Sequence, residues 1–132
     1  MWALMLLLLL PQQQPDLRAE VVKLNEAMVE AFKTNPATVA AFYADDAKIL
    51  GPGPSAEGRE AIDRYWKMFP AGSFTWKLDV IDVGGNRNLV YQYGKSTLSN
   101  AMGPQIVDFV LTWKRQPNGQ LKIVIDYWTP AR

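Results

Sequence analysis

The hydrophobic pattern of this chain changes period once, near residue 73, and that change restricts the folds it can adopt. Before this point apolar residues recur at helical spacing, as in Leu17, Val21, Leu24, Met28 and Phe32. After it they alternate with polar residues, as they do in strands with one buried face. Helices followed by a run of antiparallel strands favour an α+β domain, with the helices packed on one face of the sheet.

Capping and turn residues mark the predicted helices. Asp16 is suited to cap a first helix, and Asn35, followed by Pro36, is suited to cap a short second helix over residues 37–43. Residues 48–50 are predicted as a short strand. A rigid Pro/Gly turn over residues 51–54 then leads to a third helix over residues 59–68. Arg59, at its start, is expected to be solvated or locally paired.

Four strands are predicted in the second half, over residues 74–80, 89–98, 107–113 and 121–128. On the second of them Tyr91 and Tyr93 should face one side and Gln92 the other. The sequence Pro117-Asn118-Gly119 indicates a tight hairpin between the last two strands. These strands are expected to form an antiparallel meander.

Composition excludes several classes of chemistry. The chain of 132 residues fits one domain, and 48% hydrophobic residues can build its core. Cys and His are both absent, which removes disulfides, thiolate chemistry and the commonest general base and metal ligand. Asp45 and Asp46 suit turn and cap roles, and no third oxygen ligand is spaced nearby for a metal. A net charge of +1 without a basic cluster gives no footprint for nucleic acid.

Residues 1–15 are treated as a separate N-terminal segment, and residues 16–132 as the domain. Residues 1–10 are all apolar, which is too short for a membrane-spanning helix of about 20 residues. Two interpretations stay open. The segment is a secretory signal, although it lacks a preceding basic residue and a cleavage site, and the protein is then secreted or periplasmic. Alternatively, it is a tail that packs on this protein, a partner or a membrane, and the protein is then cytoplasmic.

A set of short segments carries a family resemblance through its order and spacing. The segments are Tyr43-Ala44-Asp45-Asp46-Ala47, Gly58-Arg59-Glu60-Ala61-Ile62, Tyr65-Trp66, Tyr93-Gly94-Lys95, residues 113–119 and residues 122–128. Together they resemble the SnoaL-like, ketosteroid-isomerase-like branch of the nuclear transport factor 2-like superfamily. The resemblance implies a cone-shaped fold with three N-terminal helices packed on a curved antiparallel sheet. It also implies an internal pocket and a homodimer formed through the sheet.

Ketosteroid isomerisation is not predicted, because three expected groups are missing. Alignment of the motifs puts Gly51 where those isomerases carry a carboxylate base. It puts Met28 at the position of the phenol donor on the first helix, and Phe109 at that of an acidic donor on the third long strand. Asp108 is adjacent to Phe109, but a one-residue offset turns a strand side chain to the opposite face.

Asp126 is the remaining candidate for chemistry. Aligning Gly119 with the family hairpin puts Val124, Asp126 and Trp128 on the pocket side of the last strand. A carboxylate in an aromatic cavity has a raised pKa and can exchange a proton near neutral pH. The alternative is that Asp126 accepts hydrogen bonds and only fixes the sheet. The predicted ligand-binding residues are Met28, Phe32, Tyr43, Trp66, Phe109, Trp113, Val124 and Trp128.

Three functional hypotheses follow. The chain binds a small hydrophobic molecule without chemistry, or it is a cofactor-free isomerase, cyclase or hydrolase that uses Asp126 as its acid/base. Alternatively, it is a non-catalytic interaction module that docks through its sheet face or its apolar tail. Both pocket hypotheses require a cavity larger than about 300 Å³.

Overall fold

Six strands form one curved sheet, with the helices packed on its inner face, in a computed structural model that describes residues 16–132. The predictions for residues 1–15 lie outside this range. The elements are α1 (Leu17–Thr34), a 3-10 helix (Pro36–Phe42), β1 (Tyr43–Leu50), β2 (Ala56–Glu57), α2 (Gly58–Lys67), β3 (Thr75–Gly85), β4 (Leu89–Asn100), β5 (Gly103–Arg115) and β6 (Leu121–Pro130). The strand order is β2-β1-β6-β5-β4-β3, and only β1 and β6 are parallel neighbours. The predicted α+β class is confirmed.

The helix boundaries have the predicted local causes. The Asp16 carboxylate accepts a hydrogen bond from the Ala19 amide at 3.0 Å and caps α1. Asn35 ends α1 by donating its amide to Ala31 O at 2.8 Å, and its side chain accepts from the Ala37 amide at 3.2 Å. Asn35 thus caps the start of the second helix, and Pro36 lies in its first turn. It ends at Phe42, one residue earlier than predicted.

Two features of the sheet differ from the sequence predictions. β1 begins at Tyr43 rather than at Lys48, because Tyr43 pairs with Ile123 of β6 ahead of an irregular stretch. β2 is an unpredicted strand of two residues that pairs with Lys48 and Ile49. A segment this short carries no alternating pattern, so only its pairing partner reveals it.

β6 contains one extra residue at Val124. Trp113 pairs with Ile123 and the preceding residue of β5, Thr112, pairs with Ile125, so Val124 has no opposite residue. Because side chains alternate with a period of two, such a β-bulge shifts the alternation by one residue, so that odd-numbered side chains face inward before it and even-numbered ones after it. Before the bulge, Ile123 is fully buried in the core. After it, Asp126 and Trp128 lie on the inner side.

A polar cluster lies inside the apolar core between α1 and the sheet. The side-chain amides of Asn25 and Gln92 bond to each other in both directions, and Trp113 Nε1 donates to Gln92 Oε1 at 3.1 Å. Asn25 also donates to Val21 O at 2.9 Å. The oxygen and the nitrogen of the Gln92 side chain are therefore both hydrogen-bonded, and buried polar groups are tolerated in a core on that condition.

The outer face of the sheet carries exposed apolar side chains. They include Tyr91 and Tyr93 on β4, Val110 on β5, and Ile125 and Tyr127 on β6. The predicted division of β4, with its tyrosines on one side and Gln92 on the other, is confirmed. Within residues 16–132, no helix is long and apolar enough to cross a membrane.

Candidate functional site

A cavity of about 230 Å³ lies between α1, α2 and the inner face of the sheet. Beyond two of its wall residues, Tyr65 and Trp128, lies an open groove of about 690 Å³. The cavity by itself is smaller than the 300 Å³ typical at the low end of ligand sites, and only the adjoining groove exceeds that value. The cavity alone therefore falls short of the size that both pocket hypotheses require, and that size is reached only when the groove is included. Its lining residues are Met28, Tyr43, Tyr65, Trp66, Phe69, Trp76, Leu78, Ser96, Leu98, Gln105, Val107, Phe109, Leu111, Asp126 and Trp128.

A carboxylate and a phenol meet at one end of this cavity. Tyr43, at the start of β1, donates its hydroxyl to Asp126 Oδ2 at 2.6 Å. The two residues come together because β1 and β6 are neighbours, with Tyr43 opposite Ile123 and Asp126 opposite Ile49. Protein surrounds Asp126, which nevertheless stays partly accessible from the cavity.

Burial sets the protonation states of this cluster. Desolvation raises the pKa of Asp126 to about 6, and the hydrogen bond from Tyr43 acts in the opposite direction. Burial also raises the pKa of Tyr43 well above its usual range, and that of Tyr65 to about 12. Near neutral pH both phenols therefore keep their protons, while Asp126 exists in both its protonated and its ionised form.

The cavity wall is built from interlocking aromatic rings. Trp66 packs against three rings, at centroid distances of 5.3 Å from Tyr65, 5.5 Å from Phe69 and 5.4 Å from Trp76. Phe32 lies behind this wall, 5.2 Å from Trp76. Such contacts between rings add to the stability gained by burying them.

Six of the predicted site residues line the cavity, namely Met28, Tyr43, Trp66, Phe109, Asp126 and Trp128. Three others, Phe32, Trp113 and Val124, are not among the residues that line it. Phe32 packs behind the aromatic wall, and Trp113 is fully buried with its indole N–H on Gln92. Val124 is the bulged residue of β6, without a partner on β5, and does not line the cavity. That the six contact a ligand stays a prediction.

Sequence reasoning missed several residues of the lining. Tyr65 precedes Trp66 on α2, and the helical pattern does not predict that Tyr65 lines the same cavity as Asp126. Trp76 and Leu78, in contrast, lie on the buried side of the alternation predicted for β3, which marked them as inward-facing. Their place in the cavity depends on the curvature of the sheet, which local patterns do not encode.

Gly51 lies directly against Trp128. A Cβ atom at residue 51 would stand 2.7 Å from Trp128 Nε1, closer than real contacts allow. The indole thus fills the space that a side chain at this position would need. A carboxylate side chain at residue 51 and the indole of Trp128 in its present position therefore exclude each other.

Arg59 holds the chain segment from which Tyr43 projects. Its guanidinium donates to Ala40 O at 2.7 Å and to Tyr43 O, and it pairs with Asp45 at 3.2 Å. It also pairs with Asp63 at 3.5 Å, so the predicted local pairing is only part of its role. In residues 16–132, no group of three acidic side chains is placed to hold a metal ion.

The helices, the curved sheet and the cavity between them define a nuclear transport factor 2-like protein. Residues 21–123 match the SnoaL-like domain, and the chain belongs to that family. No curated protein matches the sequence. A SnoaL-like domain on this fold supports a ligand-binding or isomerase-type role in general terms.

Solved structures share the fold at low sequence identity. A ketosteroid isomerase-like protein from Erwinia carotovora atroseptica is 16% identical, covers 93% of this chain and 99% of its own, and has a TM-score of 0.69. Nuclear transport factor 2 from Cryptosporidium parvum is 14% identical, with coverages of 89% and 97% and a TM-score of 0.72. ActVI-ORFA from Streptomyces coelicolor is 18% identical, with coverages of 86% and 97% and a TM-score of 0.66. At these identities the likeness shows the fold alone.

Proposed function

We propose that this protein binds a small hydrophobic molecule in its cavity and that Asp126 exchanges a proton with it. The observation that carries the proposal is the pair of Asp126 and Tyr43 at one end of an otherwise aromatic cavity. A carboxyl with a pKa of about 6 is suited to general acid/base work near neutral pH. The reaction is of isomerase, cyclase or hydrolase type and needs no cofactor for this proton transfer.

The hydrogen bond from Tyr43 assigns different tasks to the two carboxylate oxygens. Tyr43 donates its hydroxyl to Oδ2, and within residues 16–132 no side chain bonds to Oδ1. Oδ1 is therefore the oxygen that exchanges the proton. Tyr43 is a positioning residue in this scheme, because its own pKa is too high for it to ionise. Apolar walls keep water from competing for the ligand.

The proton-transfer half of the proposal predicts an unusual titration. We expect the Asp126 carboxyl, followed by carbon-detected NMR, to titrate near pH 6 in the wild-type protein. In Tyr43→Phe its pKa should rise further, because the hydrogen bond that favours the ionised form is removed. Asp108 is the internal control, since its hydrogen bond from Lys95 lowers its pKa. Titration of Asp126 below pH 4.5, about the usual range, would contradict the proposed role.

The binding half can be tested with indane, an apolar probe of two fused rings. We expect indane to shift the tryptophan emission of the wild-type protein, because tryptophans line the cavity and a bound apolar molecule changes the polarity around them. Leu98→Trp, which fills part of the cavity, should weaken binding at least tenfold. Ile106→Trp places the same ring at an exposed position of β5 and serves as the control. Equal binding by both variants would show that indane does not enter the cavity.

The alternative function is an interaction module, and the apolar outer face of the sheet favours one form of it. We propose that a second copy of the chain packs on Tyr91, Tyr93, Val110, Ile125 and Tyr127. The same face is where the family resemblance implies a homodimer. This association is compatible with ligand binding, because the cavity opens on the other side of the sheet.

Sedimentation equilibrium tests the dimer. We expect a wild-type dimer at micromolar concentration, and a monomer for Val110→Lys, because a charge would be buried without a partner. Ile81→Lys, at an exposed position of the edge strand β3, is the matched control and should remain dimeric. A monomeric wild-type protein would refute the proposed interface.

A further inference from the structure

The groove beside the cavity differs from the cavity in the sign of its charge. It has a volume of about 690 Å³, and Tyr65 and Trp128 line both spaces. Within the described part of the chain, Asp126 is the only charged residue that lines the cavity. Arg64 and Lys67 are the only charged residues that line the groove. The negative group thus lies inside, and the positive groups lie along the open side.

The two cations of the groove have no acidic partner in the described part of the chain. Arg64 and Lys67 are both exposed, in the last turn of α2. Glu60 precedes Arg64 by four residues and Asp63 precedes Lys67 by four, a spacing that allows ion pairs on a helix. Asp63 pairs with Arg59 instead, and no acidic side chain described in the structure pairs with either cation of the groove. Both charges are therefore open to an anion from outside the chain.

The rest of the groove is mostly apolar. Its lining includes Ile49, Pro52, Met68 and Trp128. The cavity alone is smaller than a typical ligand site, so a ligand of ordinary size that enters it extends past Trp128 into the groove. Such a ligand meets apolar surface first and the two cations beyond it.

We infer that the ligand is an amphipathic organic anion, with its apolar end in the cavity and its anionic group at Arg64 and Lys67 in the groove. The inference rests on the proposed function and names the class of its ligand. The opposite orientation is disfavoured, because it places the anion beside the Asp126 carboxylate and like charges repel in a buried site. A free organic acid with one hydrocarbon chain has the required form.

Two probes with the same chain length, octanoate and 1-octanol, differ in the charge of the head group and test this inference. At about pH 7.5 the carboxylate of octanoate is ionised. We expect Arg64→Gln with Lys67→Gln to weaken octanoate binding about fivefold in NMR titrations, as the loss of two exposed ion pairs allows. The affinity for 1-octanol should not change. Arg87→Gln with Lys114→Gln, which removes two exposed cations outside the groove, is the matched control and should change neither affinity.

Ionic strength separates a lost ion pair from a weakened helix, since basic residues in the last turn also stabilise α2. Added salt should weaken octanoate binding in the wild-type protein and have little effect in Arg64→Gln with Lys67→Gln. Octanoate binding that is unchanged in this double variant, or a loss that 1-octanol shares, would overturn the inference.

Leu98→Trp tests the position of the apolar end. This variant should weaken the binding of octanoate as well as that of indane, because both occupy the cavity. Octanoate binding that survives Leu98→Trp would place the whole molecule in the groove and overturn the inference, while indane binding would still support the proposed function. Failure of indane to bind the wild-type protein would overturn the proposed function and the inference with it, in a measurement that alters neither cation.

Discussion

Replacing Asp126 with Asn should stabilise the folded protein above pH 6 by up to about 3 kcal/mol. The folded-state pKa is about 6, compared with about 3.9 in an unfolded chain. Because the folded state holds this proton more tightly, the favourable contribution is present below pH 4 and is lost as pH rises through 6. Asn keeps an acceptor for Tyr43 and carries no charge. The wild-type protein should therefore lose stability between pH 4 and 6 relative to the variant.

Urea denaturation at a series of pH values measures this difference. Asp108→Asn is the matched control on the outer face, where Lys95 donates to Asp108 at 2.7 Å and lowers its pKa. The contribution of Asp108 has the opposite sign, since it is present at neutral pH and is lost as pH falls through the lowered pKa. Its replacement should slightly destabilise the protein at neutral pH. Parallel pH profiles for the wild-type protein and Asp126→Asn would contradict the raised pKa.

Replacing Gln92 with Leu should cost about 2–6 kcal/mol of unfolding free energy. Leu is close to Gln in size, so the loss comes from hydrogen bonding rather than from an empty cavity. The change strips Trp113 Nε1 of its acceptor and the Asn25 side chain of its partner, and both residues are buried. Each buried polar group left unsatisfied costs about 1–3 kcal/mol. Denaturant unfolding at neutral pH gives the measurement.

A triple variant separates hydrogen bonding from packing. In Asn25→Leu with Gln92→Leu and Trp113→Phe, no side-chain polar group of the cluster remains. Its loss of stability should be smaller than that of Gln92→Leu alone, because nothing is left unsatisfied. A triple variant that loses the sum of three independent costs would show that packing, and not satisfaction of polar groups, governs this cluster.

Local sequence signals predicted the parts of the fold that have local causes. The Asp16 and Asn35 caps, the helical stripe of α1 and the alternation along β4 each depend on neighbouring residues. The position of Asp126 in the cavity came from alignment with the family hairpin. The same alignment predicted Val124 on the pocket side, but Val124 is the bulged residue and does not line the cavity, and such a bulge is a property of the pairing between β5 and β6.

The site was less predictable than the scaffold, because its contacts join distant parts of the chain. Asp126 bonds to Tyr43, 83 residues away, and Gln92 bonds to Asn25, 67 residues away. The sequence predicts that Arg59 is a solvated or locally paired helix residue, yet it also donates to the carbonyls of Ala40 and Tyr43. None of these partners follows from a pattern within one element. They follow from the strand order, which brings β1 beside β6.

The extra residue in β6 has a consequence for how chemistry is gained and lost on this scaffold. If Val124 instead took a regular place in the ladder, strict alternation from Ile123 would carry Ile125 and Tyr127 inward and turn Asp126 toward solvent. Removal of Val124 would leave a regular ladder with Asp126 still opposite Leu111, so it is the bulge, by keeping one residue out of the ladder, that lets the acid of this longer strand face the cavity. Relatives with an acidic residue in the same alignment column can therefore differ in whether the cavity holds a proton donor, according to whether the strand bulges ahead of that residue.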